Sequence, residues 1–206
     1  MSETTPRERR HQRTRQDILN MAMRIVREKG ADKLSLREVA RRIDYSPAGL
    51  YEYFANKDAL IEAICVEADA RLQTKMLAVS RHLDPMTYLE ELGVAYVEFA
   101  RQNPEHYIFL FSNREIEFSV NEYNVEDHRK EFPDDPFLIA LNAAEAAIEA
   151  GFIDPRGQDA FALTYQFWAL VHGMSMLQVQ LFKSFPVEFE KADREGIRAL
   201  IRGMGA

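Results

Sequence analysis

The chain has 206 residues, 47% of them apolar and 29% charged, with 26 Lys+Arg against 33 Asp+Glu and a net charge of −7. That is an ordinary globular composition and excludes a disordered chain. Polar residues interrupt every hydrophobic stretch short of the roughly 18 residues of a membrane span, the basic start MSETTPRERRHQRTRQ has no apolar run behind it for a signal peptide, and a single cysteine, Cys65, excludes an intramolecular disulfide or a multi-cysteine metal site and fits a reducing cytoplasm.

Helical periodicity runs through nearly the whole chain and hairpin signals are nearly absent, so the expected fold class is all-α, with about nine helices. Residues 1–16 read as a basic arm. Ile18, Ala22 and Ile25 then form a helical stripe that Gly30 stops. Ser35, with Glu38 three residues on, has the capping-box arrangement and opens a short helix with Leu36, Val39, Ala40 and Ile43 inward. Asp44-Tyr45-Ser46 is a tight break, because aspartate tolerates the left-handed conformation. Ser46 caps a third short helix that starts at Pro47 and turns Leu50 and Phe54 inward. Asn56 caps a longer helix from Lys57, with Leu60, Ile64, Ala68 and Leu72 on one face. Downstream, Asp84-Pro85, Asn103-Pro104, Asp135-Pro136 and Asp154-Pro155 read as helix starts, and Asn103 and Gly151 as stops. Helices are expected at about 85–102, 104–112, 135–150, 157–183 and 186–203. Residues 113–134 are polar and weakly periodic and give no clear element.

Charge divides along the chain. Residues 1–57 hold 13 Lys+Arg against 8 Asp+Glu, and residues 58–206 hold 13 against 25. A basic end on an acidic body points to a polyanion at one end only, although charge clusters are as often plain solvated faces. A motif breaks the tie. Three short helices in residues 17–54, the last two joined by a turn of a few residues, have the helix-turn-helix pattern. Pro47, Ala48 and Gly49, at the start of the third helix, are small enough for close approach to the major groove. Ser35, Arg37, Ser46, Tyr51, Tyr53 and Lys57 flank them as phosphate-binding groups, and the helix starts at Ser46 and Asn56 offer free N–H groups. Arg13 and Arg15 of the arm would add phosphate or minor-groove contacts, while Arg7, Arg9, Arg10 and His11 further out either extend those contacts or belong to a disordered tail kept soluble by its charge.

The run LSLREVARRIDYSPAGLYEYFANKDALI, residues 34–61, resembles the DNA-binding signature of TetR-family transcriptional regulators. The matching positions are Ser35, Val39-Ala40, Ser46, Leu50-Tyr51-Glu52-Tyr53-Phe54 and Lys57-Asp58. The departures are Asp44 for the usual turn glycine, Ala48 for the following glycine and Gly49 for a Ser or Thr. Further on, NPEHYIFLF (103–111) and WALVHG (168–173) resemble a C-terminal class of that family named for its Trp…His-Gly signature. The resemblance implies a basic arm (1–16), a helix-turn-helix domain (17–61) and a larger helical domain (62–206) that binds a ligand and forms a homodimer through its last two helices. Phe161, Tyr165, Trp168 and His172 make a helical stripe beside Gly173, on a helix apolar on its other faces too.

Tyr96, Phe99, Tyr107, Phe111, Trp168, His172 and Met176 are candidate contacts for a small, largely apolar effector. Met and aromatic side chains line such pockets, and they also fill ordinary cores. Cys65 reads as a small core hydrophobe. No catalytic motif occurs, and Glu126-Asp127-His128 are chain neighbours that do not converge on one ion. The expectation is therefore a cytoplasmic, non-enzymatic DNA-binding regulator, most simply a repressor. Its expected partners are double-stranded operator DNA, a second copy of itself and an unidentified effector, with no cofactor, metal or membrane. The alternative is a helical ligand-binding or enzymatic protein whose basic end is incidental.

Overall fold

The computed structural model describes residues 5–112 and 124–204, and in them the chain forms ten α-helices and no strand. They fall into two compact units: residues up to Ala68 together with the segment from Phe109, and Asp69–Ile108 with the rest of the chain.

The first unit opens with α1 (Pro6–Lys29), so residues 6–16 are helix and not the expected arm. The cause is local. Thr5 N donates to Glu8 Oε2 at 2.7 Å and Glu8 N to Thr5 Oγ1 at 3.2 Å, a complete capping box, with Pro6 at the first helical position. Ile18, Leu19, Ala22 and Ile25 are buried, and Gly30 ends the helix at a φ of 86°. Helix α2 (Leu36–Arg42) starts at Ser35, whose Oγ accepts from Glu38 N at 3.2 Å. The other arm of that expected box is not made. The Glu38 carboxylate binds Arg41, Lys29 and Arg42 at 2.9, 3.0 and 3.1 Å, and these cations hold it far below the usual carboxylate range.

Asp44 turns the chain at a φ of 52°, as its tolerance of the left-handed region allows. Ser46 Oγ then accepts from Gly49 N at 2.9 Å and opens α3 (Pro47–Leu50). This helix is shorter than expected and relaxes into a turn after Leu50, but Leu50 and Phe54 are both in the core. Asn56 Oδ1 accepts from Ala59 N at 2.8 Å at the start of α4 (Lys57–Leu77). The division between the units falls inside α4, after Ala68, rather than at residue 61.

In the second unit α5 (Pro85–Gln102) and α8 (Pro136–Glu149) begin at Asp84 and Asp135, each accepting from backbone N–H groups of the first turn. Asn103 closes α5 with its side-chain amide on Phe99 O at 3.2 Å, and α6 (Pro104–Ser112) follows, its last residues belonging to the first unit. A helix not expected from the sequence, α7 (Val125–Glu131), is capped by Asn124, while residues 113–123 of the weakly periodic stretch lie outside the described residues.

Asp154-Pro155 is not a helix start. Asp154 Oδ1 accepts from Arg156 N at 3.0 Å, and Arg156 and Gly157 both have positive φ, 49° and 84°. Helix α9 (Ala160–Met176) is capped instead by Asp159 and runs on as a π-helical segment, Leu177–Leu181. The last helix, α10 (Glu190–Met204), also begins later than expected.

Helix α5 is the centre of this unit, packed on α8, α9 and α10. Gly93 makes the approach possible: a Cβ there would lie 3.0 Å from Phe167 Cζ and 3.2 Å from Ile197 Cδ1. Gly93→Val is expected to overpack this junction and lower stability by about 1–3 kcal/mol, read as a lower urea midpoint at unchanged slope. At the side of the same junction Glu90 is buried. Burial pushes its carboxyl up, but Arg198 and Arg194, both at 2.8 Å, outweigh this and hold it below the usual range.

Candidate DNA-binding surface and effector site

The first unit brings most of the sequence-predicted contacts onto exposed surface. Arg13, Ser35, Arg37, Ser46, Pro47, Ala48 and Tyr51 are exposed, Tyr51 at 52%. The Ser35 and Ser46 oxygens already accept backbone N–H groups, which leaves each hydroxyl proton to donate outward. Lys57 is half-buried and ties its Nζ to Ala31 O at 3.2 Å, so one of its three donors fixes it and the others remain to bind. Arg15 sets its guanidinium over the Phe54 ring, 5.3 Å from the centroid, which orients a cation next to the end of α3.

Two residues beside this surface take part that the sequence places there only loosely, His11 as part of the basic arm and Tyr45 as part of the tight break. His11 stacks on Tyr53 with ring centroids 4.5 Å apart, and Tyr45 meets Tyr53 edge-on at 6.2 Å. The Tyr53 hydroxyl beside it pushes the Tyr45 phenol up. The signal for His11 was the helix start at Thr5-Pro6; with α1 extended to Pro6, His11 comes onto a helical face. Gly49 is half-buried because the Tyr45 ring covers it.

In the second unit four of the seven candidate effector contacts converge. Tyr107 Oη lies 2.7 Å and Tyr96 Oη 3.0 Å from His172 Nδ1, the two hydroxyls are 3.2 Å apart, and the Trp168 ring sits 4.8 Å from that of Tyr96. Burial pushes both phenols up and the His172 imidazole down, so at neutral pH the cluster is uncharged. Phe99 is buried on α5, and Met176 is half-buried at the end of α9. Phe111 belongs to the first unit. Glu126, Asp127 and His128 follow one another along α7, where Asp127 pairs with Lys130 at 2.9 Å.

The expected stripe on α9 divides. Trp168 and His172 turn to the tyrosine cluster, while Phe161 and Tyr165 are exposed at 42% and 64% and continue into Leu177 and Leu181 at 48% and 66%. With Ala169 and Gly173 between them, these residues recur every four positions and form one apolar row. Ala192, Ala199 and Gly203 give α10 a small-residue exposed face. Among the described residues no helix is long and apolar enough to cross a membrane.

Residues 18–64 match the family described as "Bacterial regulatory proteins, tetR family", and residues 89–203 match "Tetracyclin repressor-like, C-terminal domain". The nucleoid occlusion factor SlmA of Haemophilus influenzae is 27% identical over 92 residues, 44% of this chain and 42% of that protein. The chain thus spans less than half the length of this curated relative. The HTH-type transcriptional repressor BepR of Brucella suis is 26% identical over 141 residues, 67% of this chain and 68% of its own. A tetR-family regulatory protein from Rhodococcus RHA1 has the same fold, with a TM-score of 0.69 at 17% identity, covering 93% of this chain and 97% of that one.

Proposed function

The chain belongs to the tetR family of bacterial regulatory proteins, and from that premise we propose that it is a homodimeric, sequence-specific DNA-binding repressor released from its operator by a small, largely apolar effector. The observation that carries the reading is the surface of the first unit. There a capped recognition helix presents small residues between exposed hydroxyls and arginines, on the part of the chain that is net basic. Small residues at the helix start let backbone and base edges approach, and the flanking donors fix register on the phosphates. The apolar row on α9 supports pairing with a second copy, and a two-fold dimer would set two recognition helices into successive major grooves about 34–36 Å apart. The Tyr96–Tyr107–His172 cluster supports an effector with one or two hydrogen-bonding groups on an apolar body. The alternative of a helical enzyme or simple ligand-binding protein leaves the ordered surface from Ser35 to Lys57 without a role.

The test is affinity for selected DNA as a function of salt. A linear fall of log affinity with log salt, from a sequence enriched as a pseudo-palindrome, is the expected result. Retardation that neither depends on salt nor discriminates sequences overturns the reading. Within it, Lys57→Ala and Tyr51→Phe are expected to weaken binding on all sequences alike, and Lys57→Ala to reduce the salt slope by about one unit. A Lys57→Ala protein with the original slope but a new operator preference would contradict the assignment of this group to phosphate.

A further inference from the structure

The start of the recognition helix lacks a side chain able to hydrogen-bond a base edge at the positions where one would be sought. Pro47 and Ala48 end in aliphatic carbon, and Gly49 has no side chain at all. The place beside Gly49 is nevertheless filled. A Cβ on Gly49 would lie 2.6 Å from Tyr45 Cε1 and 3.2 Å from Tyr45 Cδ1, so the Tyr45 ring lies directly against the glycine backbone. Any larger residue at 49 would have to displace it, and would also press on Ser46 Oγ, which would lie 2.9 Å from the Cβ. Two contacts brace the ring from behind: Tyr53 meets it edge-on at 6.2 Å, and Tyr53 is itself stacked on His11 of α1 at 4.5 Å. The left-handed Asp44 directs the chain into this arrangement, and 37% of Tyr45 stays exposed at the same end of the helix as Pro47 and Ala48.

We propose that Tyr45 is a specificity-determining residue of the DNA-binding surface, its ring taking over the role of a side chain at 49 and packing its apolar edge against the C5-methyl group of a thymine in each half-site. The assignment rests on the DNA-binding reading above. A ring edge carries no fixed pattern of donors and acceptors, and the thymine methyl is the one apolar feature of the major-groove code, so the match is of chemistry as well as of place. The role of Gly49 is then to leave room for the ring. His11 and Tyr53 act as positioning residues that hold it there.

The experiment takes the full-length chain, selects its preferred sites from random DNA, and measures affinities for single-base variants of the winning site. The same measurements are made with Tyr45→Phe, Tyr45→Ala and Gly49→Ala. Wild type and Tyr45→Phe are expected to prefer thymine at one position per half-site by about tenfold, within the usual range for one mismatched pair. Tyr45→Ala and Gly49→Ala should lose that preference at the same position and keep the others. Replacing this thymine by deoxyuridine, which removes only the methyl group, should weaken wild type as much as Tyr45→Ala does and should not weaken Tyr45→Ala further. Loss spread evenly over all positions, different positions affected by the two alanine variants, or indifference of wild type to deoxyuridine overturns the assignment. Circular dichroism on each variant separates these outcomes from misfolding, and Tyr45→Phe keeps the ring argument testable should Tyr45→Ala unfold. A wild-type chain that enriches no sequence overturns the DNA-binding reading itself, a result distinct from all of these.

Discussion

Gly173→Arg is expected to convert a dimer into a monomer and to cut operator affinity by at least about a hundredfold. Gly173 is half-buried between the exposed Phe161, Tyr165 and Ala169 on one side and Leu177 and Leu181 on the other, and a Cβ added to it meets nothing within 4 Å in its own chain. The substitution therefore has room inside the protomer, and replacing a mid-helix glycine favours the helix by about 0.5–1 kcal/mol. What it blocks is close approach of a second helix, which small residues allow, and it places a charge where both surfaces would be desolvated. Once the copies separate, each recognition helix binds its half-site alone. Linking two sites multiplies affinity by about 10²–10⁴, and that factor is what the monomer loses. Light scattering gives the mass and fluorescence anisotropy the affinity. A variant that stays dimeric with full affinity would move the interface elsewhere, and a monomer with undiminished affinity and specificity would remove the need for a dimer.

How much of this was legible in the sequence depended on the range of the interaction. Ser35, Ser46, Asn56, Asp84 and Asp135 could be read because a helix start is decided within four residues, by a side-chain oxygen and the N–H groups just after it. The same rule applies at Thr5-Pro6-Arg7-Glu8, although the arginines that follow have the composition of a charged arm, and the capping box outweighs their mutual repulsion. Asp154-Pro155 misled because aspartate serves a tight turn as readily as a helix cap, and only the positive φ of Arg156 and Gly157 decides between them. The two faces of α9 were beyond the sequence for a different reason. A helix apolar all round has no polar face to orient it, so the assignment of Trp168 and His172 to the tyrosines, and of Phe161 and Tyr165 to solvent, depends on α5 and α6, distant in the chain. The covering of Gly49 by Tyr45 is short in range, but it requires the turn angle at Asp44 as well as the residue types.

An effector bound at the Tyr96–Tyr107–His172 cluster is expected to lower operator affinity about a hundredfold, and operator DNA to lower effector affinity by the same factor. The coupling needed is about 2.7 kcal/mol, within the 1–3 kcal/mol of ordinary allosteric systems. On this reading transmission would run through α4, a single helix whose residues up to Ala68 fall in the first unit and whose later residues fall in the second. Its last part is tied to α5 by Lys75, with Glu98 at 2.9 Å and Gln102 at 3.2 Å, and α5 carries Tyr96. A ligand that inserts a polar group between the hydroxyls must part groups now 2.7 to 3.2 Å from one another, and the strain falls on the helices that carry them. Tyr107→Phe removes one hydroxyl and should weaken the effector roughly five- to tenfold, the size of one net hydrogen bond, without changing the affinity of the unliganded protein for DNA. Acid should act in the same direction. Burial holds the His172 imidazole below its ordinary value, so the ring is neutral at neutral pH, and effector affinity should fall only as the pH drops through that lowered value and the ring gains a proton. Calorimetry with a compound found by thermal-shift screening, run with and without operator DNA, measures both sides of the linkage. Equal effector affinity in the two titrations would remove the gating role even for a compound bound at these three residues.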